Sequence, residues 1–167
     1  AEDIVMPLKK ISETRGRAKI RLSPIGVVHS PFKTTAEIDP RRNVRPGGFA
    51  DIKGRLEIFE RFAGGLKDID GFSHLIIIFA FHQSSAGRLQ VKPPFQARVR
   101  GVFSTRSPHR PNPLGMTVVR LLGRRRNILK VSGIDMLDGT PVLDIKPYTS
   151  RDVERGIKQG WIDRTPR

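Results

Sequence analysis

Three segments of the 167-residue chain gather side chains able to do chemistry. In the first, the apolar run Leu75-Ile76-Ile77-Ile78-Phe79-Ala80-Phe81 gives way abruptly to His82 and Gln83, which puts an imidazole and a carboxamide at the end of a hydrophobic element. A solvated strand end explains this pattern better than a ligand contact does. In the second, Thr105-Arg106-Ser107-Pro108-His109-Arg110-Pro111-Asn112-Pro113-Leu114-Gly115, three prolines stiffen a loop rich in donors: Arg106, His109, Arg110 and Asn112. A preorganised loop loses less ordering entropy when it binds, although a rigid turn without a ligand fits the composition equally well. The third runs from Asp135 to Tyr148. A carboxylate pair, Asp135 and Asp138, beside backbone amides suits a ligand that carries both an ammonium group and hydroxyls. Strand alternation places Asp144 and Lys146 on one face, where an ion pair would form. Tyr148 is the sole tyrosine of the chain.

Other chemistries find no support. There is no Gly-x-Gly-x-x-Gly fingerprint and no Gly-x-x-x-x-Gly-Lys phosphate loop. The absence of cysteine removes thiolate catalysis and thiolate zinc sites. His29, His74, His82 and His109 are too widely spaced for a local metal motif, although His74 and His82 would share a face if one strand carried both, and no metal is expected.

These segments need a scaffold of short strands. Alternating or continuous apolar residues predict strands at Ile25–Val28, Asp51–Phe59, Leu75–Phe81, Val99–Phe103, Thr117–Leu122, Ile128–Ile134 and Val142–Lys146. Leu75–Phe81 reads as a central strand buried on both sides. Leu137-Asp138-Gly139-Thr140-Pro141 reads as a tight turn, with Gly139 at positive φ and Asp138 bonding the turn backbone. Helix is scarce: a short piece over Ala63–Ile69, and a C-terminal helix capped by Ser150 with Val153, Ile157 and Trp161 on one face. The expected architecture is mainly β, a compact antiparallel barrel with short helices, one of them near the C-terminus. Residues 1–22 would be a polar arm or edge element, 23–150 the barrel domain, and 151–167 the C-terminal helix and tail.

The formal charge of +15 is unevenly spread. Residues 71–134 hold 11 Lys and Arg and no Asp or Glu. Such a stretch presents a positive surface that attracts phosphates, and Arg98, Arg100, Arg110, Arg124, Arg125 and Arg126 are its candidate RNA contacts. No apolar run approaches the roughly 18 residues of a membrane span, and the first residues lack a signal-peptide layout, so a soluble cytoplasmic protein is expected.

Six blocks resemble, in order, those of the YaeB-like, or TsaA-like, family: Ile25–Lys33, Gly71–Leu75, Phe79–Gln83, Gly101–Pro108, Arg110–Gly115 and Asp135–Tyr148. Characterised members use S-adenosylmethionine to methylate N6 of threonylcarbamoyladenosine beside the tRNA anticodon. The resemblance implies a β-barrel that binds this cofactor without a Rossmann sheet, in a homodimer acting on tRNA. It also implies a cofactor pocket made from Pro46, Gly47, Gly48, His82, Gln83, Arg106, Met116, Asp135, Met136, Leu137 and Asp138. The chain departs from the family at Arg45-Pro46-Gly47-Gly48, where Arg-Gln-Pro-Gly is frequent.

For the reaction, Asp138, Asp144, Tyr148 and His82 are alternative proton acceptors, and Arg106 or Lys146 would stabilise charge on the carbamoyl group. Asp138, Asp144, Lys146 and Tyr148 therefore form the candidate catalytic set. Two other readings remain: a non-catalytic basic RNA-binding barrel, and a methyltransferase acting on a small metabolite.

Overall fold

The computed structural model describes residues 20–39, 48–85 and 87–164. Its strands are β1 (Gly26–His29), β2 (Lys53–Ile58), β3 (His74–Ala80), β4 (Gln90–Val91), β5 (Arg100–Gly101), β6 (Leu114–Arg125), β7 (Ile128–Ser132) and β8 (Pro141–Pro147). Six of them close into a barrel in the order β1-β2-β7-β6-β3-β8, with every neighbouring pair antiparallel. This is the mainly-β barrel expected, and closure leaves its six strands without an edge. β4 and β5 form a separate two-stranded ribbon inside the β3–β6 connection.

Alternation fills the interior. Val28, Leu56, Ile58, Leu75, Ile77, Phe79, Val119, Leu129, Val131 and Val142 point inward and are buried. β3 is not covered on both sides, because a barrel wall has one inner and one outer face: Leu75, Ile77 and Phe79 are buried while His74, Ile76 and Ile78 are half-buried. Nor is it central, since a closed ring has no centre strand. It ends at Ala80, so His82 lies in the following turn and does not share a strand face with His74. β6 is longer than expected and begins at Leu114, where a Cβ on Gly115 would collide with the Phe79 ring. At the other extreme, β5 covers only Arg100 and Gly101, and residues 102–104 form a 3-10 turn.

The seam that closes the ring is short. β1 and β8 pair only at Gly26–Val142 and Val27–Pro141, extended by Val28 N–H to the Thr140 carbonyl and Gly139 N–H to the Val28 carbonyl. Gly139 adopts φ 79° in the expected turn. The Asp138 carboxylate does not bond that turn, however; it reaches the backbone amide of Ser30 and the ammonium of Lys33.

The helical pieces are 3-10 turns at Glu60–Leu66, Ile69–Gly71, Val102–Ser104, Ser150–Asp152 and Ile162–Arg164, with one short α-helix, α1, at Thr35–Ile38. The α-helix expected from Ser150 to Trp161 does not form. Gly156 and Gly160 take φ 68° and 61°, which interrupts a helical path, and Thr149 rather than Ser150 caps the short turn. Trp161 instead returns to the β4–β5 ribbon.

Because all barrel pairs are antiparallel, connections alternate between two ends. The β1–β2, β3–β6 and β7–β8 connections leave from one end, the mouth. The β2–β3 connection, the β6–β7 turn and the chain after β8 lie at the other, the base.

Candidate functional site at the barrel mouth

The topology brings most of the predicted cofactor residues to the mouth, from three separate connections. His82 and Gln83 follow β3, Arg106 lies in the β3–β6 connection, Met116 is near the start of β6, and Asp135 to Asp138 lie between β7 and β8. Gly48 belongs to the β1–β2 connection and takes φ 67°, while Pro46 and Gly47 fall outside the described residues.

The proline loop is strapped to the end of β3. Phe81 N–H donates to the Pro113 carbonyl at 2.7 Å, Ser84 Oγ donates to the Pro108 carbonyl at 2.8 Å, and His109 Nδ1 lies 3.0 Å from Ser85 Oγ. Arg110 donates to the carbonyls of Thr105 and Ser107. Two of the four expected ligand donors, His109 and Arg110, thus hold the loop in shape. Arg106 stays exposed, close enough to act electrostatically on Asp135.

The two carboxylates that look alike in the sequence have different surroundings. Burial pushes the Asp135 carboxyl above the usual aspartate range, against the opposing pull of a Thr117 hydrogen bond and the Arg106 charge. Its Oδ1 is buried with no hydrogen-bond partner among the described residues. A buried carboxylate oxygen lacking a donor is costly, so it suits a cationic donor arriving from outside. Asp138 is the opposite case: the Lys33 ammonium at 2.6 Å and the Ser30 amide at 2.9 Å hold it below the ordinary range. The amides of Asp138, Gly139 and Thr140 all donate within the fold. Met136 and Leu137 are buried, so only their backbone can meet a ligand, whereas Met116 is 57% exposed.

The catalytic set is spread along the wall. Asp144 and Lys146 form the expected ion pair at 2.7 Å on the outer face of β8. Tyr148 lies past the base end of that strand, its ring 6.2 Å from His74 and about 20 Å along the chain from Pro141 at the mouth. Within one chain these three do not meet Asp138. His82 does lie at the mouth, and burial lowers its pKa, leaving a neutral imidazole at neutral pH.

The candidate RNA contacts divide between the ends. Arg98 is exposed in the β3–β6 connection, while Arg100 is stacked beneath Trp161 at 5.1 Å. Arg125 and Arg126 are exposed at the base, and Arg124 there donates to the carbonyls of Leu66 and Arg126 as a structural clamp. Thr117 beneath Asp135 was not legible as a site residue, since a lone threonine in a strand gives no signal. Among the described residues no cluster of three His, Cys, Asp or Glu side chains is placed to hold a metal ion, and no helix is long and apolar enough to cross a membrane.

The class of protein so defined is a closed antiparallel barrel with a candidate ligand site in the loops at one mouth. Residues 27–152 match the model of the tRNA-methyltransferase O N-terminal domain, and the chain belongs to that family. It is 45% identical over 142 residues to a probable S-adenosyl-L-methionine-binding protein of Pyrococcus abyssi, covering 84% of this chain and 75% of that protein. To the tRNA (adenine(37)-N6)-methyltransferase of Escherichia coli it is 40% identical over 142 residues, covering 78% of this chain and 58% of that enzyme. The crystal structure of TrmO from Pseudomonas aeruginosa superimposes with a TM-score of 0.62 at 36% identity, covering 83% of this chain and 60% of that one. The chain thus spans less than two thirds of the E. coli enzyme and of the solved structure.

Proposed function

We propose that this chain is a cytoplasmic S-adenosylmethionine-dependent methyltransferase acting on N6 of threonylcarbamoyladenosine at position 37 of tRNA. The observation that carries the reading is the orphaned, buried Oδ1 of Asp135 beside Arg106 at the mouth. The names of the Pyrococcus and Escherichia relatives supply the cofactor and the class of RNA.

The residues at the mouth fit such a cofactor. Asp135 Oδ1 would receive its ammonium group, and Gly48, His82, Gln83, Arg106, Met116 and the 135–138 backbone would surround the rest. When bound, S-adenosylmethionine supplies a methyl group on a sulfonium, ready for in-line displacement. The chain then has to hold N6 and the methyl collinear, and no protein nucleophile is needed. Methylation of N6 would require its proton to leave. The neutral imidazole of His82 accepts it, because Asp138 is held ionised by Lys33 and Ser30 and is a weak base. Arg106 stabilises negative charge developing on the carbamoyl oxygen.

We also assign the active form as a homodimer. Met116, Val118 and Leu122 are exposed on the outer face of β6, an apolar stripe that a second copy would cover.

The test is the nucleoside content of tRNA. Purified protein with the cofactor should add one methyl group to tRNA containing threonylcarbamoyladenosine, read by mass spectrometry of the digested nucleosides. Methylation of unmodified adenosine 37 alone would overturn the substrate, and no methylation of any tRNA would overturn the activity.

A further inference from the structure

Cations on the outer wall stand in rows. The register aligns His29 of β1, Arg55 of β2 and Lys130 of β7, and two residues away it aligns Lys53, Ser132 and Arg120 across β2, β7 and β6. Paired residues on antiparallel strands point to the same side, and Lys53, Arg55, Lys130 and Arg120 are all exposed. Strand spacing of about 4.8 Å and a two-residue step of about 7 Å place the four in a patch roughly 10 Å across. None of the four makes an ion pair among the described residues.

Two carboxylates close to the patch have other partners: Glu57 lies 2.6 Å from His29, and Asp138 lies 2.6 Å from Lys33. Arg55 and Lys130 face each other directly, and like charges so opposed destabilise a sheet. Among the described residues neither Arg55 nor Lys130 is ion-paired with a carboxylate, and an anionic ligand would offset the repulsion. The patch continues toward the mouth into an open concavity of about 370 Å³ lined by His29, Lys33, Lys53, Arg55 and Asp138 among others. No Phe, Tyr or Trp points outward among these cations on β2, β6 or β7, which fits contact with a sugar–phosphate backbone rather than stacking on bases.

We propose that Lys53, Arg55 and Lys130 hold the phosphate backbone of the tRNA, along a track that leaves the mouth beside Asp138 and follows the outer wall of β2 and β7; Arg120, flanked by Val118 and Leu122 on β6, lies where the second copy would cover it and is not part of the track. This deepens the tRNA reading above and rests on it. The track brings RNA to the mouth from the barrel's side, away from Arg125 and Arg126 at the base.

The experiment compares wild type, the triple variant K53A/R55A/K130A and the base variant R125A/R126A for tRNA affinity over a range of salt, with cofactor affinity by calorimetry. The triple variant should bind tRNA at least about tenfold more weakly, and its slope of log K against log salt should fall by about 2, at roughly 0.7 per lost phosphate contact. Its cofactor affinity should be unchanged, and its melting temperature equal to or above that of wild type because a repulsive pair is gone. An unchanged slope in the triple variant, or an equal or larger loss in R125A/R126A, would overturn the track while leaving tRNA as the substrate. If the wild-type protein binds no tRNA, the substrate reading itself fails.

Discussion

The indole of Trp161 lies over the guanidinium of Arg100, 5.1 Å from carbon to ring centroid, and its Nε1 donates to the Ser104 carbonyl at 2.9 Å. One residue thus fastens the chain after β8 to the ribbon within the β3–β6 connection. Replacing Trp161 with Ala removes a cation–π contact and a hydrogen bond, together worth about 1–2 kcal/mol. Chemical denaturation followed by circular dichroism should show that loss. Trp161 is the only tryptophan, so the tryptophan fluorescence of wild type comes from this residue alone.

Asp135→Asn should weaken S-adenosylmethionine binding by about tenfold or more, by removing the charge that meets the ligand's ammonium group. Folding should be unharmed or improved. Its carboxyl is raised by burial, so the folded state prefers the protonated form, and the stability this confers below the ordinary value of 3.8 is lost as pH rises through the folded pKa. Titration calorimetry alongside thermal melts at pH 7 would separate the two effects, and a variant that melts lower yet binds the cofactor normally would sink the assignment.

His82→Asn should lower the rate of methyl transfer by about 10²-fold or more while cofactor affinity stays near wild type. Single-turnover assays against pH provide the check. Wild-type activity should fall as acid protonates the imidazole, with the midpoint displaced below 6.5 because burial lowers the pKa of His82. A variant that keeps its rate and its acid limb would remove His82 from the reaction.

Asp138→Ala should cost about 1–2 kcal/mol, since it releases the Ser30 amide and the Lys33 ammonium from a partly exposed site. Here the folded pKa is depressed, so the contribution is present above 3.8 and disappears as pH falls through the folded value. Acid unfolding of wild type and variant should therefore converge at low pH; a difference that persisted undiminished would contradict the pairing.

Gly115→Ala should destabilise by about 1–3 kcal/mol, because the new methyl meets the buried Phe79 ring, which is itself packed edge-on to Phe81. Phe79→Leu in the same chain should recover part of the loss, as measured by melting temperature.

Much of the barrel was legible because its alternation is local: Val28, Leu56, Ile58 and Val142 announce an inner face, and Gly139 announces the turn that joins β7 to β8. The sequence misled where partners arrive from afar. Pro113-Leu114-Gly115 reads as loop, yet Leu114 and Gly115 are strand because the Phe79 ring fills the place of a side chain. Val153, Ile157 and Trp161 have helical spacing, but Gly156 and Gly160 turn the chain the other way between them. In the other direction, α1 was missed although Thr34 and Glu37 carry a capping-box signal, with Glu37 accepting from the Thr34 amide.

The sequence points to residues that the fold gathers at the mouth, but not to their different surroundings. Three connections supply the mouth, and the sequence blocks named residues from each. What they did not disclose is which carboxylate would be left without a donor. Lys33 reaches Asp138 across 105 positions and satisfies it, while Asp135, three residues earlier, is buried with one oxygen unpaired. Nothing in the order of residues distinguishes the two before the chain folds.

The brief seam between first and last strands makes the mouth a clasp. The turn that follows Asp135 is also the turn whose amide and carbonyl stitch β8 to β1 at Val28, and whose carboxylate grips Ser30 and Lys33 just beyond. A molecule seated against residues 135–138 presses on the last few bonds that keep the ring from opening into a sheet. Occupancy of the site and integrity of the cylinder are thereby one variable, and amide exchange at Val28 and Gly139 is where it would be heard.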